Sequence, residues 1–457
     1  MDARAPLVSA VPVSSAALRT LAATRADRYP VFFDSAAEGP LARYSVLAAE
    51  PRATLFRDAA GRLHGQGMTP GEGGFFDNLE AWYRRESVTP AQKSLPFLGG
   101  WLVYLGYEVA AEIESHLHLP AASTPYSAFA LRVENIIVHE LATDKVFAIS
   151  ETGDADALAR LIADLQQAER HPFVPRSDPP ALASVDEEPA ELFLGRVRAT
   201  QEHIAAGDIY QANLSRRWQL KLRDGIEGAQ VYAALRRANP APFAASVQLN
   251  GMSLFSSSPE RLMRIERGDI STRPIAGTRP RQGTVEQDRL DTAELMAHPK
   301  ERAEHIMLID LERNDLGRVC EAGSVVVDEY MVTESYAHVH HIVSNVRGRL
   351  RADRSPVGAL RALFPGGTIT GCPKVRCMQI IAELEGEGRG AYTGSLGWLG
   401  TDGDADFNIL IRTLTMQEER IELRAGAGIV ADSVPERELE ETRAKARGLL
   451  RAFGIHS

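Results

Sequence analysis

The chain has 457 residues, more than a single hydrophobic core usually serves, so one large or two interlocked domains are expected. A net charge of −10, with no short basic run, gives no reason to expect a nucleic-acid partner, and no apolar run approaches the roughly 18 residues of a membrane span. Cys320, Cys372 and Cys377 are too few and too scattered for a disulfide scaffold or a tetrahedral zinc site. The opening "MDARAPLVSA" lacks the basic-then-apolar layout of a secretory leader, so the cytoplasm is expected. A small anionic substrate stays compatible with the acidic balance, because a pocket's local field can oppose the net charge.

In chain order, "FALRVENIIVHEL" (129–141) and "KVFAISE" (145–151) read as strands with a turn between them. Residues 171–191 carry five prolines and several acids without periodicity, the composition of an exposed connector between an N-terminal part (1–170) and a C-terminal part (192–457). Helical patterns cover 192–206, 286–315, 374–386 and 433–453. Between the first two, "RPIAGTRP" (273–280) reads as a rigid, positively flanked turn, because proline fixes φ and glycine tolerates positive φ. "SLGWLG", "FNILIRTLTM" and "RIELRAGAGIVA" form a second strand group with "DGD" and "QEE" as turns. Hairpin-like strand groups with helices between them predict an antiparallel-rich α/β layering (α+β layered) rather than a doubly wound parallel sheet.

Three stretches carry candidate chemistry. In "KERAEHIMLIDLERNDLGRV", Met307, Leu308 and Leu311 mark an apolar helical stripe on which Glu304 also falls. A carboxylate there is either a rim group bonded to an arginine or a metal ligand. In the last helix Ser433 and Glu436 form a capping-box pattern, and Glu438, Glu441 and Lys445 then project from one face. That face is either a solvated charge stripe or part of a site, the latter because "AGAGIVADS" just before it would let a ligand approach the backbone. Carboxylates from two helices without a Cys or His cluster suit a hard, oxygen-preferring ion such as Mg²⁺. "FPGGTITGCPKVRCMQII" (364–381) places Lys374 and Arg376 at a helix start, either an anion loop or a plain junction, and its spacing is not that of a P-loop. His340 and His341 are a possible proton-transfer pair or a structural one.

The runs "GDIYQANLSRR", "SSSPERL", "RPIAGTRPR", "ERAEHIMLIDLERNDLGRV", "HVHHIVS", "FPGGTITGCPKVR", "FNILIRT" and "AGAGIVADS…ExxExxxKA" occur in the order that marks the chorismate-utilising enzymes. Over about residues 190–457 the chain resembles the synthase subunits of aminodeoxychorismate synthase and anthranilate synthase, with isochorismate and salicylate synthases more distant. The resemblance implies two antiparallel-rich β-sheets forming a sandwich with helices outside and chorismate bound between the sheets. It implies that Glu304 and Glu441, with Glu438 directly or through water, hold Mg²⁺. Arg412, Lys445 and the backbone at Gly426 and Gly428 would bind carboxylates, and Glu260 would be the general acid for the leaving hydroxyl. His341 would lie near the pyruvyl side, with Thr370 and Lys374 in the matching loop.

Gln211 stands where water-adding relatives resemble one another in a lysine base, and glutamine cannot take a proton, so the resemblance implies amination. Ala276, in "PIAGT", resembles the anthranilate type, whereas aminodeoxychorismate synthases have a lysine there. "PGGTITG", "YQANL" and the N-terminal third lean towards the aminodeoxychorismate type, which carries the greater weight. None of the cysteines sits in a nucleophile elbow, so ammonia is expected from solution or from a separate glutamine amidotransferase subunit. A tryptophan site is expected near Asp34 and Ser35.

Overall fold

The computed structural model describes residues 5–456, apart from 38, 40, 90–92, 94, 250, 281–287, 289–292, 295–298 and 336–338; at 276, 278–280, 299–301 and 339 it describes the backbone only. The first of two large sheets has 12 described strands. Their spatial order is Leu7–Val11, Lys145–Ser150, Asn135–Glu140, Tyr44–Ala49, Val31–Asp34, Phe243–Leu249, Met252–Ser258, Thr413–Gln417, Arg420–Ile429, Gln211–Leu222 and Leu182–Glu187, with Gly371–Cys372 paired to the Gln211–Leu222 strand. The second sheet has 11, in the order Ile275–Pro280, Val339–Arg349, Asp269–Thr272, Arg261–Glu266, Ala405–Asn408, Ser395–Gly400, Gly100–Leu105, Tyr126–Val133, Ala53–Asp58 and Leu63–Gln66, with Val326–Ser335 paired to Val339–Arg349. The described pairings are antiparallel, so the layered, antiparallel-rich expectation holds.

Each sheet takes strands from both sides of residues 171–191. One core lies between the sheets, around Phe97, Tyr104, Phe129, Leu254 and Leu396. Helices cover the outer faces: Ser15–Thr24, Ala155–Arg170 and Gly228–Ala238 on the first sheet, Phe75–Glu86, Pro299–Gly317 and Pro356–Leu363 on the second. Among the described residues no helix is long and apolar enough to cross a membrane.

Three local expectations need correction. "FALRVENIIVHEL" is two strands, Tyr126–Val133 in the second sheet and Asn135–Glu140 in the first. The run reads as one strand because it is buried and largely apolar on both sides of the partly exposed Glu134 and Asn135, so periodicity hides the break there. Within the proline-rich connector, Leu182–Glu187 forms an edge strand against Gln211–Leu222, its acidic, exposed side chains typical of a guarded edge. "RPIAGTRP" contains the strand Ile275–Pro280, paired with Val339–Arg349, instead of a turn. The glycine acts within that ladder: Gly277 takes φ +63° at a register shift between Ala276 and Thr278, a β-bulge.

Candidate active site

The Gln211–Leu222 strand organises the site, held on one side by Arg420–Ile429 (Asn213 opposite Gly428, Ser215 opposite Gly426) and on the other by Gly371–Cys372. Gly371 has φ +131°, and a Cβ there would lie 2.1 Å from the Gln211 carbonyl oxygen, so only glycine lets the loop close on the strand. Gly426 and Gly428 are also closely surrounded. A Cβ on Gly426 would lie 2.4 Å from both the Leu214 carbonyl oxygen and the Tyr392 hydroxyl, and one on Gly428 would lie 2.3 Å from Gln211 Nε2, so neither position leaves room for a side chain. Gln211 donates to Glu304 Oε1 at 3.2 Å, while its own buried Oε1 has no hydrogen-bond partner among the described residues.

Glu260 follows the Met252–Ser258 strand, and its carbonyl accepts from Ile409 N at 3.0 Å. Its buried carboxylate accepts from Thr368 Oγ1 at 2.8 Å. Burial pushes the carboxyl up to about 7, against the opposing pull of the Thr368 bond and the charges of Lys445 and Arg412. Arg412 lies where the chain crosses from the second sheet to the first, at φ +51°. Its guanidinium is half-buried and, among the described residues, has no hydrogen-bond or ion-pair partner; burial holds its pKa below the usual value even with Glu260 nearby. His341, 2% exposed, is pushed down to about 3 by burial and then by the Arg412 charge, so its imidazole is neutral. Thr370 is buried and donates to the Gly366 carbonyl at 3.0 Å, a bond that shapes the loop.

The Pro299–Gly317 helix buries His305, Leu308, Ile309, Leu311, Glu312, Asp315 and Leu316. The buried stripe is thus rotated from the one read in the sequence, and Glu304 and Met307 sit half-buried at its margin. Polar groups on that face conceal it from hydrophobic periodicity. Lys374 bonds Asp315 Oδ2 at 2.5 Å, so its ammonium is committed to a buried carboxylate. Burial, with Asp315 alongside, pushes Glu312 up to about 8 despite Lys374, and Thr272 and Glu260 also face it. Because the folded value lies above the usual 4.5, this stabilisation is complete below pH about 4.5 and is lost as pH rises to about 8. Glu312→Gln should therefore match the parent's thermal stability in acid and exceed it by a few kcal/mol at pH about 9, since each pKa unit is worth about 1.4 kcal/mol. Melting curves across that range check this; a constant offset would refute it.

The last helix runs Pro435–Leu450 with Val434 at its N-cap and no side-chain cap. Ser433 instead turns back and accepts from Val430 N at 3.1 Å, so the capping box does not form; proline at the first helical position leaves one fewer amide to cap. Lys445 bonds Glu441 at 2.8 Å and the Gly426 carbonyl at 2.9 Å. Burial lowers its pKa, but Glu441 more than offsets this and holds the ammonium above its usual range. Lys445 and Glu441 keep 45% and 49% of their side-chain exposure, whereas Glu438 is 8% exposed. The described residues contain no cluster of three or more His, Cys, Asp or Glu that could cage a metal. Two carboxylates nevertheless border the Arg420–Ile429 strand, Glu304 near Gly428 and Glu441 through Lys445 at Gly426. That donor set fits Mg²⁺, which takes one or two protein carboxylates and completes its shell with substrate and water.

Sequence reading missed three contributors: Thr368, which holds Glu260, and the pair Tyr392 and Asn213, whose amide donates to the Tyr392 hydroxyl at 3.4 Å. Thr368 was within the recognised loop; nothing in the sequence distinguishes it from Thr370. The backbone of Ala276 pairs with Ile342, one position from the Thr278–His341 pair. Away from this site, a cavity of about 270 Å³ is lined by Asp34, Ser35, Tyr44, Phe243 and Trp398. Asp34 accepts there from Tyr232 at 3.1 Å and Arg236 at 2.5 Å, and the Ser35 hydroxyl donates to the Tyr44 carbonyl at 2.7 Å.

A profile of chorismate binding enzymes matches residues 37–451. The aminodeoxychorismate synthase component 1 of Bacillus subtilis (strain 168) is 38% identical over 443 residues, covering 94% of this chain and 92% of its own. An anthranilate synthase component 1 of Streptomyces coelicolor is 43% identical over 390 residues, 80% of this chain and 75% of its own. The crystal structure of anthranilate synthase component I from Streptococcus pneumoniae superposes with a TM-score of 0.80 at 30% identity, covering 90% of this chain and 93% of that one. The chain belongs to the family of chorismate-binding enzymes.

Proposed function

We propose that the chain is the synthase subunit of an aminodeoxychorismate synthase, exchanging the C4 hydroxyl of chorismate for ammonia and releasing water. The observation that carries this reading is the triad of Arg412, Lys445 and Glu260. A half-buried guanidinium without a described partner and an ammonium kept charged suit the two carboxylates of chorismate. Glu260, raised to about 7, keeps a proton near neutrality for the departing hydroxyl. Gln211, bonded to Glu304, offers no base to activate water, which favours an already nucleophilic amine. Glu304 and Glu441, with Glu438 behind, would hold Mg²⁺, which would neutralise the ring carboxylate. Neutral His341 would border the pyruvyl side, and Thr370 and Lys374 would keep the loop in shape.

Burial raises all three thiols, Cys320 to about 11 and Cys377 to about 12, so none is poised as a glutaminase nucleophile. This supports a separate amidotransferase partner, and the cytoplasm is the compartment proposed for both. Tryptophan is the ligand proposed for the cavity at Asp34 and Ser35, although with Asp34 committed to Arg236 its amine would rely on backbone carbonyls.

Anthranilate synthesis is the second reading, favoured by Ala276: without a lysine at that position, C4 amination needs direct attack by ammonia. Incubation with chorismate, Mg²⁺ and ammonium at mildly alkaline pH, with aminodeoxychorismate lyase added to half the samples, separates the two. Release of 4-aminobenzoate only with the lyase is expected; anthranilate in both arms would overturn the first reading in favour of the second.

A further inference from the structure

We propose that a second, smaller cavity on the outer face of the first sheet is a binding site for a monocyclic aromatic carboxylate. It measures about 120 Å³ and is walled by Phe32, Ala229 and Phe173. A cavity of about 150 Å³ is known to hold one benzene ring, so the scale is that of a single ring. Phe173 comes from the proline-rich connector, tied down where its backbone N–H donates to Thr20 Oγ1 at 3.0 Å and where Arg176 N donates to Gln230 Oε1 at 2.9 Å. The connector is thereby one wall of the cavity.

Three arginines, Arg19, Arg236 and the exposed Arg237, line this mainly apolar space, with Tyr232, Ser246 and Gln248 as its other polar residues. The charge around it does not balance. Arg236 is bonded to Asp34, which also accepts from Tyr232. Arg237 donates to the Arg176 carbonyl at 3.0 Å, and Arg19 to the Ser15 hydroxyl at 3.1 Å. Neither Arg19 nor Arg237 has an ion pair with any described carboxylate. Arg19 is half-buried and stands near both Arg236 and Asp34; burial and the like charge of Arg236 lower its pKa, and Asp34 offsets them only in part. An added carboxylate relieves this repulsion and can be gripped bidentately, while the ring replaces water on the apolar walls. The cavity shares no lining residue with the Asp34 cavity, to which it is joined by the bonds of Tyr232 and Arg236 to Asp34.

The test is calorimetric titration of the whole chain with benzoate, with benzyl alcohol as the neutral control. Saturable one-to-one binding is expected, weakened about tenfold or more for benzyl alcohol and likewise in Arg19→Ala, as loss of a charge-assisted bond predicts. Arg19→Gln, which keeps the stem's packing, should show the same loss. Arg412→Ala, in the chorismate cleft, and Arg43→Ala, at the Asp34 cavity, should bind benzoate as the parent does. Absence of saturable binding, binding indifferent to both Arg19 variants, or binding lost in Arg412→Ala or Arg43→Ala would each overturn the proposal. Because no turnover is measured, failure here leaves the reaction assigned above untouched.

Discussion

Replacing Glu260 by Gln is expected to lower kcat with chorismate by about 10²–10⁴-fold, the usual contribution of a positioned general acid. The substitution keeps the shape and the acceptor for Thr368, so KM should change little. Removal of only the proton donor acts on the transition state, which places the loss in kcat. The parent should also show kcat/KM falling as pH climbs through about 7, because the required form of Glu260 is the protonated one. Ammonia becomes more available over the same range, so the profile must be taken at constant free ammonia. Thr368→Val sharpens the point. Its hydroxyl favours the ionised carboxylate, so its removal should move the break to higher pH. A Glu260→Gln enzyme within a few-fold of the parent's kcat would dismiss the general-acid role.

The layering was legible because hairpin turns punctuate the strands: "DGD" centres on Gly403 at φ +90° and "QEE" carries Glu418 at φ +52°. Four helices fell within a few residues of expectation where the described residues allow comparison, although most of 286–298 lies outside them. What failed failed for a shared reason. A local pattern reports which residues can form an element, not what the rest of the chain places against it. "PIAGT" has turn chemistry, yet the Val339–Arg349 strand recruits it as an edge with a bulge. Ser433 can cap a helix, but the amide of Val430 claims its hydroxyl first. At the proposed site Glu260 and Arg412 were singled out through family motifs. Thr368, Asn213 and Tyr392 were not, since each is an ordinary residue whose bond to Glu260 or within the Asn213–Tyr392 pair only the fold creates.

Glu385→Ala should be the most damaging single change outside the cleft, destabilising the chain by about 3–5 kcal/mol, the cost of leaving a buried charge without its partner. Glu385 ends the Lys374–Glu385 helix beneath the central strand, and its carboxylate receives Ser215 N at 2.8 Å, Ser215 Oγ at 3.0 Å and Arg389 Nη2 at 2.7 Å. Both Glu385 and Arg389 are 1% exposed, so no water can replace a lost partner. Burial alone would raise the Glu385 pKa, but Arg389 outweighs it and holds the carboxyl below its usual range. Its stabilisation is therefore full above the ordinary carboxylate pKa and is lost only as pH falls through the lower folded value. The variant should accordingly shed part of the parent's acid sensitivity as well as its stability. Arg389 donates in turn to the Asn213 carbonyl at 2.6 Å and lies 5.5 Å from the Tyr392 ring centroid, so its displacement would loosen the side of the cleft nearest Lys445. Denaturant titration measures the first effect, and the second should raise KM for chorismate in whatever fraction stays folded. Replacing the pair together, Glu385→Ala with Arg389→Met, should recover part of the stability but not the KM, because the apolar substitute removes the orphaned charge without restoring the bond to Asn213. If Glu385→Ala alone costs less than about 1 kcal/mol, the pair is not the buried support that its geometry describes.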